Sequence, residues 1–201
     1  MRDFLQARLL RSAEPEEVAA IHRAVAIVAE GIDWRTAGHH YVAAGDFDDA
    51  RRVLATAIES ILATGAYAAA EELATSLPPT PKPDAVTEIV RSRMAMKRGD
   101  SLEALSRARE AVAAAPTSEV ALWNALMVSI SCSALEEMEP IEVRLRELDS
   151  PPIRKITSEA IVAGIRSSVD GDLDIAARLT KEAARASEVA GNTHFQGVAL
   201  T

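Results

Sequence analysis

Aromatic residues are scarce in this sequence, where they make up 3% of 201 residues. Alternating runs of β-branched residues are also nearly absent, so there is little from which strands could be built. The apolar fraction is nevertheless 48%, enough to fill a core, and much of it is alanine. Because alanine has the highest helix propensity and lets helices approach closely, the composition predicts an all-α fold.

The chain also lacks the features of secreted, membrane and nucleic-acid-binding proteins. Its single cysteine, Cys132, cannot form an internal disulfide, which fits a reducing cytosol. No uninterrupted apolar run approaches the roughly 18 residues of a membrane span, and the N-terminus has no signal-peptide core. The net charge of −8 leaves no basic surplus to neutralise phosphates. We therefore expect a cytoplasmic protein that binds neither membranes nor nucleic acid directly.

Helical periodicity and chain breakers divide the sequence into a series of helices. The predicted helices cover residues 2–11, 15–29, 33–44, 47–64, 67–77, 84–98, 101–114, 118–132, 135–149, 153–169 and 172–190, and a last one opens near residue 193. The glycines predicted to end helices in a left-handed conformation are Gly31, Gly45, Gly65, Gly99, Gly171 and Gly191. The aspartates that suit the N-cap of a following helix are Asp46, Asp100 and Asp172. The proline-rich stretch 78–83 predicts a linker between helical repeats in residues 1–77 and 84–201.

The helix boundaries repeat along the chain. A glycine with an alanine five places later occurs in residues 45–50, 65–70, 99–104 and 171–176. Such self-similarity is typical of solenoids built from helical hairpins. Around the first boundary the chain resembles the tetratricopeptide-repeat family, and the residues that match its signature are Trp34, Gly38, Tyr41, Ala50 and Ala57. The resemblance implies a right-handed superhelical solenoid of tetratricopeptide-like hairpins.

Two further stretches are similar to the same signature, with fewer matches. The repeat from residue 84 keeps Gly99, Ala104, Ala108, Ala111 and Pro116, but has Glu88 and Ala95 where the aromatics would stand. The repeat that ends near residue 189 keeps Gly164, Gly171, Ala176 and Ala183. The hairpin over 118–149 is degenerate, so the signature alone does not assign its packing.

The spacing of the first boundaries departs from a simple tandem repeat. Gly45 and Gly65 lie 20 positions apart rather than 34, so helix 47–64 would serve two neighbouring hairpins. With the N-terminal segment, this stagger resembles the region that follows the nucleotide-binding module of bacterial signal-transduction ATPases and LuxR-type transcriptional regulators. The resemblance implies a sensor arm that receives a ligand or a partner protein. The chain carries no Gly-x-x-x-x-Gly-Lys-Ser/Thr motif and ends within a helix, so we expect a segment of a larger regulator.

No set of residues predicts catalysis or metal binding. The aspartates in residues 170–174 lack the glycine and glutamate that a calcium loop needs, since Ile175 and Lys181 occupy those places. His39 and His40 point about 100° apart on a helix and cannot chelate one metal ion. Glu136, Glu137, Glu139 and Glu142 are interpreted as a solvated helical face. We expect a protein without enzymatic activity, cofactor or metal.

A partner-binding groove is what the resemblance implies for the first helices of the hairpins. Helical spacing gives a candidate set for its lining, namely Arg35, His39, Arg93, Met96, Lys97, Trp123, Asn124 and Met127. Helix 118–132 is apolar nearly all round, so Trp123 is either core or an anchor for a peptide. Three functions stay open: a protein-binding or sensor segment, a small-effector pocket, and an oligomerisation module. Nothing in the sequence fixes the oligomeric state.

Overall fold

A computed structural model describes residues 14–148 and 152–189. Its ten α-helices are α1 (Pro15–Ala29), α2 (Trp34–Ala44), α3 (Phe47–Thr64), α4 (Tyr67–Ser76), α5 (Ala85–Arg98), α6 (Ser101–Ala114), α7 (Glu119–Ser131), α8 (Met138–Glu147), α9 (Pro152–Asp170) and α10 (Leu173–Val189). A 3-10 turn, Leu135–Glu137, precedes α8. No strand occurs in these residues, so the all-α prediction is confirmed. The predicted helices 2–11 and from 193, and Gly191, lie outside the described residues.

The chain divides into two compact units. The first comprises the residues up to Ile58 together with Ala66–Pro81, and the second comprises Glu59–Gly65 and the residues from Lys82 onwards. Helix α3 therefore contributes to both. The division after Pro81 falls inside the proline-rich stretch, where residues 78–83 are exposed and non-helical. That this stretch is a mobile joint stays a prediction.

Small side chains dominate the core of the first unit. Its buried residues are Ala26, Ala29, Ala37, Tyr41, Ala50 and Val53, with Trp34, Val42 and Leu77 packed against them. Alanines at these places let α1, α2 and α3 approach closely. A Cβ atom on Gly38 would lie 2.4 Å from Cδ2 of Leu73, so a larger residue where α2 meets α4 would require the Leu73 side chain to shift. Gly38 is one of the residues that match the tetratricopeptide signature, and the side chain nearest to it belongs to α4.

Helix α7 lies at the centre of the second unit. Eight of its residues are buried, namely Ala121, Leu122, Trp123, Asn124, Ala125, Leu126, Val128 and Ser129. The core around it includes Ala95 from α5, Leu105 from α6 and Ile141 from α8, and Val162 and Ala183 join it from α9 and α10. A helix apolar all round must be covered on every side, and neighbouring helices supply that cover.

Left-handed glycines end several helices, as the sequence predicts. Gly45, Gly65, Gly99 and Gly171 have φ between 69° and 87°. The backbone N–H groups of Asp46, Asp100 and Asp172 then donate to carbonyls five residues back, which closes the helix ends. Gly31 was predicted to do the same, and this is wrong: α1 ends with the N–H groups of residues 32 and 33 donating to Ala29.

Three other predicted helix boundaries differ in how they are formed. The side chain of Asp100 caps α6 by accepting from the N–H of Glu103. The carboxylate of Asp46 accepts two hydrogen bonds from Arg23, at 2.6 and 2.8 Å. The helix predicted over 135–149 begins as a 3-10 turn and continues as α8, and Ser133, with φ 57°, closes the end of α7 before it.

Candidate functional site: an apolar cleft in the second unit

The predicted groove residues of the first unit are accessible. Arg35 and His39 are exposed on α2, and the Arg35 guanidinium lies 5.4 Å from the centre of the Trp34 ring. Such an exposed cation–π contact is worth about 0.5–1 kcal/mol, enough to orient the arginine but not to define a site. A binding role for Arg35 and His39 stays a prediction.

Three of the predicted groove residues in the second unit lie in or against its core. Trp123 is 3% exposed and Asn124 is 1% exposed. The amide of Asn124 accepts from Nε of Arg93 at 2.7 Å and donates to the hydroxyl of Ser92 at 2.9 Å. Ser92 in turn donates to the carbonyl of Ile89. The structure matches the alternative in which Trp123 is part of the core. An indole that is buried in this way cannot serve as a surface anchor.

The other three groove candidates are more accessible. Met96 is half-buried against the core cluster, and Met127 is half-buried on α7. Lys97 is exposed, with its Nζ atom 3.4 Å from the carbonyl oxygen of Gly65. The structure therefore joins Arg93 to Asn124 through a hydrogen bond, but it does not assemble the predicted set into one open surface.

Two buried carboxylates were not recognised in the sequence. Glu142, interpreted there as part of a solvated face, is 2% exposed and binds Arg166 on α9 at 2.8 Å, with Arg146 at 3.5 Å. The interpretation of Glu142 as a solvated residue is therefore wrong. A buried carboxylate requires cationic partners, and two arginines contact this one. The bond to Glu142 raises the pKa of Arg166.

The second buried carboxylate, Glu88, has the same kind of surroundings. It is 3% exposed and contacts Arg91 at 2.8 Å and Arg107 at 3.2 Å. Each of the two buried carboxylates is therefore paired with two guanidinium groups, as a buried charge requires. Their role is to link helices, α5 with α6 and α8 with α9.

The first unit contains an ion pair that ties the end of α1 to α2 and α3. The carboxylate of Glu30 accepts from both terminal nitrogens of Arg52, at 3.0 and 2.7 Å, and from the hydroxyl of Tyr41. The hydrogen bond from Arg52 is the main cause that lowers the pKa of Glu30 to about 2. The same carboxylate raises the pKa of Tyr41.

A histidine pair lies beside this network. The Nδ1 atoms of His22 on α1 and His40 on α2 are 2.8 Å apart, so one ring donates and the other accepts. Burial, and then the charge of His22, lowers the pKa of His40. Two imidazoles fall short of a stable metal site, and the described residues contain no cluster of three or more potential ligands.

The second unit contains a cleft of about 680 Å³, between α6, α7 and α8. It is lined by Leu105, Ala108, Arg109, Val112, Ala113, Ala125, Ser129, Glu136, Glu137, Pro140, Ile141 and Arg144. Its floor is apolar and comes from three helices that are fixed by the core beneath them. Small-molecule sites occupy about 300–1,000 Å³ and combine an apolar wall with a few polar groups, and the cleft has both properties.

Charged side chains border the cleft. Nε of Arg109 donates to Glu137 at 3.1 Å, and the second nitrogen of the same guanidinium also contacts that carboxylate. Nη2 of Arg144 donates to the backbone carbonyl of Pro116 at 2.7 Å. The cleft carries no nucleophile–base pair among its lining residues. It can bind and orient a ligand, and no feature of its lining points to bond-making.

The chain was compared with protein-family models, with curated proteins and with solved structures, and none of the three comparisons found a match. Among the helices described, none combines the length and the apolarity needed to cross a membrane.

Proposed function

We propose that this chain is a non-catalytic helical-repeat segment that binds a ligand as the sensor part of a larger regulatory protein. The observation that carries the proposal is the cleft between α6, α7 and α8, with its apolar floor and charged border. The cleft is formed without a ligand, because its walls are helices held by the buried core of the second unit.

The tetratricopeptide-like character is part of the proposal. It is supported by hairpins with short connections, since Gly45-Asp46, Gly99-Asp100 and Gly171-Asp172 join consecutive helices. It is also supported by Gly38, where a larger residue would collide with Leu73. We infer that the hairpins continue a right-handed solenoid, and that the chain acts as the arm of a bacterial signal-transduction ATPase or LuxR-type regulator.

A thermal-shift screen with a library of small metabolites tests the proposal. A true effector should raise the melting temperature of the wild-type protein, because a ligand that binds only the folded state stabilises it by mass action. Ala113 is exposed and lines the cleft, so Ala113→Phe should fill the space and abolish the shift. Ala114 is the exposed neighbour that does not line it, so Ala114→Phe is the matched control.

The other functions predict different results. A protein-binding segment would show no shift with any small molecule, and an oligomerisation module would show a multiple of the chain mass in light scattering without ligand. A metabolite shift that survives in Ala113→Phe would place binding elsewhere and contradict the cleft as the site.

A further inference from the structure

We propose that the ligand of the cleft is a small molecule with an apolar body and one carboxylate. The inference rests on the proposed function, because it names the chemical class that the same cleft would take. It follows from the apolar floor, from the balance of charge at the border, and from the way in which one arginine is held there.

The floor selects the body of the ligand. Leu105 and Val112 come from α6, Ala125 from α7 and Ile141 from α8, and together they form an apolar surface. A polar body would lose its hydration without gaining hydrogen bonds, whereas each buried methylene contributes about 0.8 kcal/mol. An aliphatic or aromatic body therefore fits the space.

The charges at the border select the head group. The cleft is lined by two arginines and two glutamates, and both glutamates act on Arg109. Glu137 binds its guanidinium directly, and the charge of Glu136 further raises the pKa of Arg109. The hydrogen bond that the structure shows for Arg144 goes to a neutral acceptor, the carbonyl of Pro116. Of the two arginines that line the cleft, Arg144 is thus the one that no carboxylate binds within the described part of the chain.

The bond to Pro116 also prepares Arg144 for a ligand. A guanidinium has five N–H donors in a fixed plane, and holding one terminal nitrogen restricts the orientation of the rest. A carboxylate beside it would form charge-assisted and bidentate hydrogen bonds, which are about twice as strong as neutral ones. An alcohol or a primary amide of the same shape would lack the charge, and an amine would be repelled.

Isothermal titration calorimetry on the whole chain tests the inference, with octanoate and octanamide as probes. We expect octanoate to bind the wild type at least tenfold more tightly than octanamide. Arg144→Gln should remove this preference, so that both probes bind with similar weak affinity. Ala113→Phe should weaken both probes, because it fills the space that their common body occupies.

A matched control is available in the first unit. Nη2 of Arg51 donates to the carbonyl of Pro78 at 2.7 Å, as Arg144 does to Pro116. Arg51→Gln removes the same kind of bond and should keep the tenfold preference. Melting of each variant, followed by circular dichroism, shows that the comparison is made between folded proteins.

The outcomes separate the inference from the proposed function. Equal binding of octanoate and octanamide to the wild type, with both lost in Ala113→Phe, would overturn the carboxylate and leave the cleft as a ligand site. A preference that persists in Arg144→Gln would likewise overturn the role of Arg144. Binding of neither probe, together with a metabolite shift that Ala113→Phe abolishes, would refute the ligand class alone. Absence of both signals would refute the cleft itself.

Discussion

Trp123→Ala should destabilise the second unit strongly, because the indole is 3% exposed and lies in the core around α7. A buried tryptophan covers about 150–250 Å² of surface. At about 25 cal/mol per Å² this corresponds to about 4–6 kcal/mol, and the range for Phe or Trp to Ala in cores is about 3–5 kcal/mol. We expect a loss of about 4 kcal/mol, which is a large share of the stability of an ordinary domain.

Urea denaturation followed by far-ultraviolet circular dichroism measures this loss, and thermal melting should show a drop of roughly 10–20 °C. Leu102 on α6 is 83% exposed, so Leu102→Ala is the control and should stay within about 0.5 kcal/mol of the wild type. A cost below about 1 kcal/mol for Trp123→Ala would refute the core position of the indole and reopen its role as an anchor.

Three further predictions concern single side chains. Ser133 adopts φ 57°, a left-handed conformation that glycine takes without strain. Ser133→Gly should therefore raise the free energy of unfolding by about 1 kcal/mol in urea denaturation. Unchanged or lower stability would contradict the strained turn. Because the pKa of His40 is lowered in the folded state, the unfolded chain binds more protons near pH 6, and stability should fall as the pH drops below about 6.5. Melting of wild type and His40→Gln at pH 7.5 and 5.5 checks this, and an equal pH effect in both would count against the pair with His22. Glu142→Gln should lower the free energy of unfolding by about 2 kcal/mol, because it weakens the bonds to its arginines. Glu139→Gln, on the exposed face of the same helix, should change it by almost nothing. Similar losses of stability for the two variants in urea denaturation would contradict the buried ion pair.

The helix boundaries could be predicted from the sequence because their signals are local. Helix α5 was predicted over 84–98 and spans Ala85–Arg98, with Asp84 capping it and Gly99 ending it. Each of those residues acts on backbone groups within one turn, so neighbours in sequence suffice. The local signals were wrong at Gly31, which is not left-handed, and they gave no sign of the left-handed Ser133, which is not a glycine.

The long-range contacts could not be predicted because no local pattern encodes them. Arg166 lies 24 positions from Glu142, and His40 lies 18 positions from His22. A glutamate on a polar-looking helix gives no sign that a distant arginine will cover it. Trp123 illustrates the same limit, since an apolar helix can be covered by its own chain or by a partner, and only the packing of neighbouring helices decides.

The cleft was missed for a related reason. Its lining comes from three helices and a 3-10 turn, and its small residues, such as Ala108 and Ala125, look like any other helix-packing alanines. In the second unit, the groove predicted by resemblance drew on α5 and the Trp123 side of α7, whereas Ala125 and Ser129 of α7 line the cleft with α6 and α8. Repeat helices have several faces, and the sequence pattern did not indicate which one stays open.

Methyl chemical-shift mapping with octanoate tests the central claim most directly. On addition of the acid, the methyl signals of Leu105, Val112 and Ile141 should shift, because these side chains form the floor of the cleft. Signals from Ile21 and Val25, which are exposed on α1 and do not line the cleft, should not move. Shifts at those two methyls, with the three cleft methyls unchanged, would contradict the proposal that this cleft receives the ligand.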